Sequence, residues 1–109
     1  MSGVQRVSFV LQIDESSRDE YIRRHEMVDP ELLQAFREVG IRSYSIFLDG
    51  GRLFAYMEVE DFEHAMAELS GQPANIRWQQ FMSDLLIKHH EDSTLKVIPE
   101  VFHFTSAVE

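Results

Sequence analysis

The sequence predicts a small α+β domain in which an antiparallel sheet carries helices on one face. Apolar residues alternate in some segments, as on half-buried strands, and recur every three or four residues in others, as on amphipathic helices. These segments follow one another in the order β-α-β-β-α-β, which matches the ferredoxin-like plan. The chain has 109 residues, no repeat and no linker, so we expect a single domain over residues 1–109.

The first part of the chain predicts one strand and two helical pieces. Apolar residues alternate along Val7–Ile13, which indicates a half-buried strand. Ser17 and Glu20 have the spacing of a capping box, so a helix should begin near residue 17. Pro30 disfavours helical geometry at the residue before it, which predicts either a second helix or a kink. The second piece should end at Gly40, because glycine is a common helix terminator.

The middle of the chain predicts a β-hairpin. The runs Ile41–Asp49 and about Arg52–Glu58 have strand-like composition and are separated by Gly50 and Gly51. Glycine tolerates positive φ, so these two residues are a strong local signal for a tight turn between paired strands.

The last part predicts two helices and a strand. Asp61 is placed to cap a short helix, and a further helical pattern should occupy roughly residues 75–87. The polar run His89–Thr94 predicts a loop. Leu95–Thr105 is rich in Val, Ile and Phe but contains Pro99, which lacks an amide donor. This strand should therefore lie at an edge, contain a bulge or begin at the proline.

A sheet with helices on one side leaves its other face uncovered. An exposed apolar sheet face is costly in a chain of this size. We therefore expect two copies to pack face to face, or to share strands, as a symmetric homodimer.

The composition argues against several partners and sites. The net charge of −9 opposes binding to nucleic acid or anionic membrane, because both need a basic protein surface. The chain has no cysteine, and so no disulfide, thiolate nucleophile or sulfur metal ligand. No segment has the length and apolarity of a membrane span, and the first residues do not resemble a secretion signal. We expect a cytoplasmic protein that binds neither nucleic acid nor membrane.

Tyr21 and His25 are the strongest candidates for chemistry. Four residues apart on a helix, they lie on one face, one turn from each other. Imidazole ordinarily titrates near neutral pH and phenol forms hydrogen bonds, so the pair is able to bind a polar ligand and move its protons. The alternatives are a surface or capping histidine and a tyrosine that only packs.

Tyr44 and Trp78 each fit the core or the wall of a pocket. Tyr44 shares a strand face with Ile46 and Leu48. Trp78 has core spacing to the apolar residues that follow it, but a lone tryptophan near a loop is also a common surface for the C–H faces of sugars.

The other histidines and the paired arginines have simpler interpretations. His89 and His90 are adjacent and cannot both face one way on a regular helix or strand. With His103 they lack the spacing of a metal site, and we predict none. Arg23 and Arg24 are interpreted as a solvated pair that balances nearby acidic residues.

Short motifs also follow one another along the chain in a distinctive order. They are Phe9-Val10-Leu11-Gln12-Ile13, Glu20-Tyr21-x-Arg23-Arg24-His25, Pro30-Glu31-Leu32, Tyr44-Ser45-Ile46-Phe47-Leu48-Asp49, Leu53-Phe54-Ala55-Tyr56-Met57-Glu58, Arg77-Trp78-x-x-Phe81-Met82-x-Asp84 and Glu100-Val101-Phe102. Each motif is weakly specific alone, but together they cover nearly the whole chain without a large gap. In this order they resemble the L-rhamnose mutarotase family.

The resemblance implies a small cytosolic protein with a ferredoxin-like, dimeric α+β barrel fold. Members of the family interconvert the α and β anomers of a 6-deoxy sugar without a cofactor. The resemblance implies that His25 is the proton donor and that Tyr21 and Tyr44 contact the sugar. Adjacent tryptophans complete the family's pocket; here Trp78 is the first, and Gln79 stands at the second position.

A second position also departs from the family pattern. Asp29 stands where the family often has a tryptophan before Pro-Glu-Leu. Both replacements exchange an aromatic surface for a polar or charged group, which leaves open which monosaccharide is preferred. Because fold does not fix function, a non-catalytic ligand-binding or regulatory module is the alternative, and an oxidative enzyme of the same fold is a further one.

Overall fold

The computed structural model describes residues 3–87 and 95–106. Their order confirms the predicted β-α-β-β-α-β arrangement, with each helical part formed by two helices. The elements are β1 (Gln5–Ile13), α1 (Arg18–Arg24), α2 (Pro30–Glu38), β2 (Ile41–Asp49), β3 (Arg52–Val59), α3 (Phe62–Leu69), α4 (Pro73–Met82), β4 (Leu86–Ile87) and β5 (Lys96–Ile98).

The sheet is antiparallel and has the strand order of a ferredoxin-like fold. Its order is β2-β3-β1-β4, and β5 pairs with β1 beside β4. β1 and β3 pair from Gln5 opposite Val59 to Gln12 opposite Arg52. These two strands therefore form the centre of the sheet, and their alternate residues face the helices.

The core lies between the sheet and the helices. Its members come from the inward-facing positions of β1 and β3 and from the inner sides of the helices. The buried residues include Phe9, Leu11, Ile13, Leu32, Ala35, Leu53, Ala55, Met57, Val59, Ala65, Leu69 and Met82.

The predicted hairpin between β2 and β3 is confirmed. Asp49 pairs with Arg52, and Gly50 between them has φ of 62°. A side chain on Gly51 would collide with the carbonyl oxygen of Ile13, which lies at the end of β1. Both positions therefore require glycine. Gly50 adopts a positive φ, and Gly51 lies too close to the Ile13 carbonyl to carry a side chain.

The break before Pro30 divides the first helical part into two helices. The Asp29 carboxylate accepts a hydrogen bond of 2.9 Å from the amide of Glu31, and Pro30 occupies the first turn of α2. Asp29 is therefore an N-cap, and this cap begins a separate helix rather than a kink. The second helix is followed by Gly40 with φ of 93°, as predicted.

The capping box at the start of α1 is a wrong prediction. Ser17 makes no capping hydrogen bond through its side chain. A 3-10 turn, Glu15–Ser17, precedes the helix directly and is capped by Asp14 instead. The Glu20 carboxylate, the second member of the predicted box, accepts hydrogen bonds from arginine side chains. Because the turn continues into α1, the helix has no free first turn for Ser17 to cap.

The helix predicted over residues 75–87 begins and ends earlier, as α4. It begins at Pro73 and ends at Met82. Proline is tolerated at the first helical position because the amide of that residue has no hydrogen-bond partner within the helix. Leu86 and Ile87 form the short strand β4 against the end of β1. Pairing with β1 explains this difference, because a short apolar run has no periodicity that separates helix from strand.

The last strand is shorter than predicted. β5 ends at Ile98, before Pro99, and residues 99–106 have no regular structure. Proline cannot continue the ladder, so the strand ends at the proline rather than beginning there. The predicted loop His89–Thr94 lies entirely outside the described residues.

The face of the sheet that points away from the helices carries aromatic residues. Phe47 on β2 is paired with Phe54 on β3, and Phe47 is 64% exposed. In the segment after β5, Phe102 and Phe104 are 81% and 73% exposed. Within the described residues, no helix has the length and apolarity needed to cross a membrane.

Candidate active site

A cavity of about 680 Å³ lies between the helices and the inner face of the sheet. Its volume is within the range of small-molecule sites, roughly 300–1,000 Å³. All five site residues expected from the sequence line it: Tyr21, His25, Tyr44, Trp78 and Gln79. The fold brings them together, while their roles stay predictions.

His25 follows α1 directly and is held through its Nδ1 atom. This nitrogen lies 2.9 Å from the carbonyl oxygen of Tyr21. The backbone amide of His25 bonds instead to Ile22, so the Tyr21 carbonyl is left for the imidazole. A carbonyl only accepts hydrogen bonds, and therefore Nδ1 carries a hydrogen and donates it. Proton exchange with a ligand is thus confined to Nε2.

Two aromatic rings fix the plane of the imidazole. The ring centroid of Tyr21 is 4.5 Å away, and that of Trp78 on α4 is 5.1 Å away, with the rings edge to face at 82°. Helices from two different parts of the chain therefore enclose His25. Tyr44 lies among Phe9 and Phe36, at centroid distances of 6.2 and 5.6 Å.

Burial keeps the two tyrosine hydroxyls protonated. It raises the pKa of Tyr21 to about 12. It also raises the pKa of Tyr44 well above its usual value, and the nearby Tyr21 phenol adds to that rise. At neutral pH both groups are hydrogen-bond donors rather than bases.

We predict that Tyr21 stays protonated at pH 10 and ionises near pH 12. Because the pKa is higher in the folded than in the unfolded chain, its contribution to the free energy of unfolding is complete below pH 10 and is lost as the pH rises through 12. Tyrosinate absorbance measures this, with Tyr21→Phe identifying the component. A Tyr21 signal half developed at pH 10 in folded protein would contradict the assignment.

A polar wall lies beside Trp78. The Gln79 amide is 3.5 Å from the Oδ1 atom of Asn75, and Asn75 donates a hydrogen bond of 3.1 Å to the carbonyl of Leu69. Other polar side chains that line the cavity, and that the sequence did not single out, are Arg37, Arg42, Ser43, Ser70 and Asn75. They come from distant segments, so no local pattern identifies them.

Asp29, unlike Gln79, is not part of the cavity lining. It caps α2 and forms an ion pair of 3.3 Å with Arg77. The aspartate therefore has a structural use at the start of α2, and only the change at position 79 alters the wall of the cavity.

Arg24 is not the solvated arginine that its sequence neighbours suggest. Its side chain is only 12% exposed and contacts both Glu20 and Asp84. Arg23, by contrast, is 66% exposed and pairs with Glu20. The interpretation of both as a solvated pair is therefore wrong for Arg24, because Asp84 is 60 residues further along the chain.

In residues 3–87 and 95–106, no group of three or more histidine, aspartate or glutamate side chains is placed to hold a metal ion. His103 lies 3.7 Å from a carboxylate oxygen of Glu100. His89 and His90 are outside the described residues.

Solved structures with this architecture include proteins of different activity. Tetracenomycin F2 cyclase from Streptomyces glaucescens superposes with a TM-score of 0.62 over 95% of this chain and 99% of the cyclase, at 18% identity. At that identity the likeness shows the fold alone. An L-rhamnose mutarotase from Formosa agariphila has a TM-score of 0.79 at 27% identity, covering 93% of this chain and 99% of that protein.

Sequence relatives give a consistent family. An L-rhamnose mutarotase from Acidiphilium cryptum is 38% identical over 103 residues, which are 92% of this chain and 98% of the relative. One from Oceanobacillus iheyensis is 32% identical over the same shares. The family profile described as L-rhamnose mutarotase matches residues 6–104. The resemblance is confirmed, and the chain belongs to the L-rhamnose mutarotase family.

Proposed function

We propose that this protein is a sugar mutarotase, which interconverts the α and β pyranose anomers of L-rhamnose or a related 6-deoxyhexose, with His25 as the catalytic residue. The names of its relatives support a sugar as the substrate. One observation carries the role of His25: its Nδ1 atom is bonded to the Tyr21 carbonyl inside the cavity. Nε2 is therefore the atom that exchanges protons with the sugar.

The reaction needs a proton donor in a fixed position and a proton acceptor. As the bond between the anomeric carbon and the ring oxygen breaks, the ring oxygen gains a proton and the anomeric hydroxyl loses one to solvent. The anomeric carbon becomes the aldehyde of the open chain. After rotation, the former ring hydroxyl attacks the other carbonyl face, and both proton movements reverse. General acid–base action of this kind contributes about 10²–10⁴-fold in rate.

The residues of the cavity divide these tasks. In its imidazolium form His25 donates from Nε2 to the ring oxygen, and it recovers the proton when the ring closes. Tyr21, with a pKa of about 12, donates a hydrogen bond to a sugar oxygen rather than removing a proton. Trp78 offers a ring face to sugar C–H groups, and Tyr44 and Gln79, which also line the cavity, supply hydrogen bonds to the sugar.

Optical rotation tests the activity directly. When a crystalline single anomer of L-rhamnose is dissolved, the rotation relaxes towards its equilibrium value, and we expect the protein to accelerate this relaxation in proportion to its concentration. A relaxation rate equal to that of buffer at every protein concentration would reject the proposal.

Gln79 is proposed to set sugar preference. Gln79→Trp restores an aromatic surface, and ring packing of about 0.5–1.5 kcal/mol corresponds to a roughly 2- to 10-fold change. We expect KM for L-rhamnose to fall by this factor relative to KM for L-mannose, which differs by a hydroxyl at C6. Gln80→Trp is the matched control, because Gln80 is exposed and outside the cavity lining. Equal KM ratios in Gln79→Trp and wild type would contradict this role.

We also propose that two copies form a homodimer through the outer face of the sheet. The support is Phe47, which is 64% exposed and pairs with the half-buried Phe54 on that face, together with the exposed Phe102 and Phe104 after β5. Exposed apolar side chains on a sheet face are typical of a surface that packs against a partner. A role in carbohydrate metabolism is part of the proposal, with the sugar in the relatives' names as its support, and a cytoplasmic location stays a prediction from the cysteine-free composition.

A further inference from the structure

We propose that Arg24 is a positioning residue that holds the end of α1, and with it His25, against Trp78 on α4. This inference rests on the proposed function, since it concerns the placement of the proposed catalytic histidine. Its structural part, the contact between His25 and Trp78, is measurable without any reference to catalysis.

The guanidinium of Arg24 is bonded on all sides. Its Nε donates to Glu20 at 2.6 Å, and Nη1 and Nη2 form a fork with the Asp84 carboxylate at 2.9 and 3.2 Å. Nη1 also donates to the carbonyl of Phe81 at 2.7 Å, and the guanidinium carbon lies 4.6 Å from the centre of the Phe81 ring. A planar fork of this kind fixes orientation as well as distance. We call this set of contacts the Arg24 clamp.

The clamp joins two helix ends that carry the site. Arg24 is the last residue of α1 and directly precedes His25. Phe81 and Asp84 lie at and just beyond the end of α4, one and two turns after Trp78. The clamp therefore sets the distance between the two helix ends from which the imidazole and indole rings project.

α1 needs such an anchor because it is short. It has seven residues, and helices well below about 12 residues are not stable by themselves. The side chain of Tyr21, in the middle of α1, is buried and packs into the core. His25 lies at the C-terminal end, where helix carbonyls lack partners within the helix, and Arg24 ties that end to another part of the fold.

Charge makes the clamp sensitive to loss of the arginine. The neighbouring arginines hold the pKa of Glu20 at about 2, and Arg24 also holds the pKa of Asp84 below its usual value. Both carboxylates are therefore ionised at neutral pH. Without Arg24, Glu20 would keep Arg23 as its partner, but Asp84 would lose the guanidinium fork, and the hydrogen bonds from Arg24 that join α1 to the end of α4 would be lost.

Trp78 provides the test, because it is the single tryptophan of the chain and its ring is 5.1 Å from that of His25. An imidazolium at this distance quenches indole fluorescence, so emission of the wild type should be lower at acidic than at alkaline pH. His25→Gln should abolish this pH-dependent quenching, which identifies its source.

In Arg24→Met we expect most of the quenching to be lost and kcat to fall about 10- to 100-fold, since displacement of a reacting group by about 1 Å costs this much. KM should change less than kcat. Arg24→Lys, which keeps the charge but not the fork, should be intermediate in both readouts. Asp84→Asn weakens the clamp while keeping the arginine, so we expect a smaller loss of quenching and of kcat. It replaces Arg24→Met as the test if that variant does not fold.

Arg23→Met is the matched control. Within the described residues Arg23 hydrogen-bonds to the same Glu20 but makes none to α4. It should retain wild-type quenching and kcat. Unchanged quenching in folded Arg24→Met would overturn the inference. If Arg24→Met does not fold, unchanged quenching in Asp84→Asn would do so instead. An equal loss of quenching in Arg23→Met would also overturn it. Wild type that shows quenching but no anomer exchange would reject the proposed function and leave the positioning result standing.

Discussion

His25→Gln is expected to lower the protein-dependent rate of anomer exchange about 10²- to 10⁴-fold while the fold is retained. Glutamine keeps an amide able to donate to the Tyr21 carbonyl, but it does not gain or lose a proton near neutral pH. Glutamine is uncharged, like the neutral imidazole that it replaces. Exchange rates and circular dichroism of the purified variant measure both parts of the expectation.

His64→Gln is the control for this variant. His64 lies on α3, is exposed and does not line the cavity. It should exchange anomers at the wild-type rate. A wild-type rate in His25→Gln, or an equal loss in His64→Gln, would remove His25 from the mechanism.

Phe47→Asp is expected to dissociate the proposed homodimer. Phe47 is 64% exposed in the single chain and lies on the outer sheet face beside Phe54. A carboxylate buried there without a partner costs several kcal/mol, so the dissociation constant should rise by about 10²-fold or more. Sedimentation over a range of protein concentrations measures this change.

The control is the same substitution on the helical side. Ile76→Asp places a carboxylate at a position on α4 that is 42% exposed. It should leave the dimer intact. A wild type that is monomeric at every concentration, or a Phe47→Asp variant with wild-type association, would contradict the proposed interface.

Features of the fold that were predictable depend on short-range geometry. Gly50 and Gly51 specify a tight turn, Gly40 adopts the left-handed φ that ends a helix, and the pair of Asp29 and Pro30 begins the next one. Each effect is contained within about four residues, so the sequence alone suffices.

Features that were mispredicted depend on partners elsewhere in the chain. Residues 86–87 form a strand because the end of β1 is available to pair with them. β5 has three residues because Pro99 ends the ladder early. Arg24 is almost buried because the fold brings Asp84, which is distant in the sequence, into contact with it. Local periodicity contains none of this information.

In the candidate site, too, local features were predictable and features that depend on tertiary packing were not. The spacing of Tyr21 and His25 placed them on one helix face, but their approach to Trp78 results from how α1 and α4 pack. The hydrogen bond that confines proton exchange to Nε2 depends on a backbone carbonyl at the end of α1, which no motif specifies. Asp29, expected to alter the pocket, is used for capping α2 instead.

Saturation-transfer NMR on a panel of deoxy and ordinary hexoses shows directly whether the protein catalyses exchange between sugar anomers. One anomeric proton signal is saturated, and loss of intensity at the other anomer measures exchange by the protein. We predict exchange that grows with protein concentration, is strongest for 6-deoxyhexoses and disappears in His25→Gln. Saturation transfer from the protein to a bound sugar, without exchange between its anomers, would contradict catalysis and identify a binding module instead.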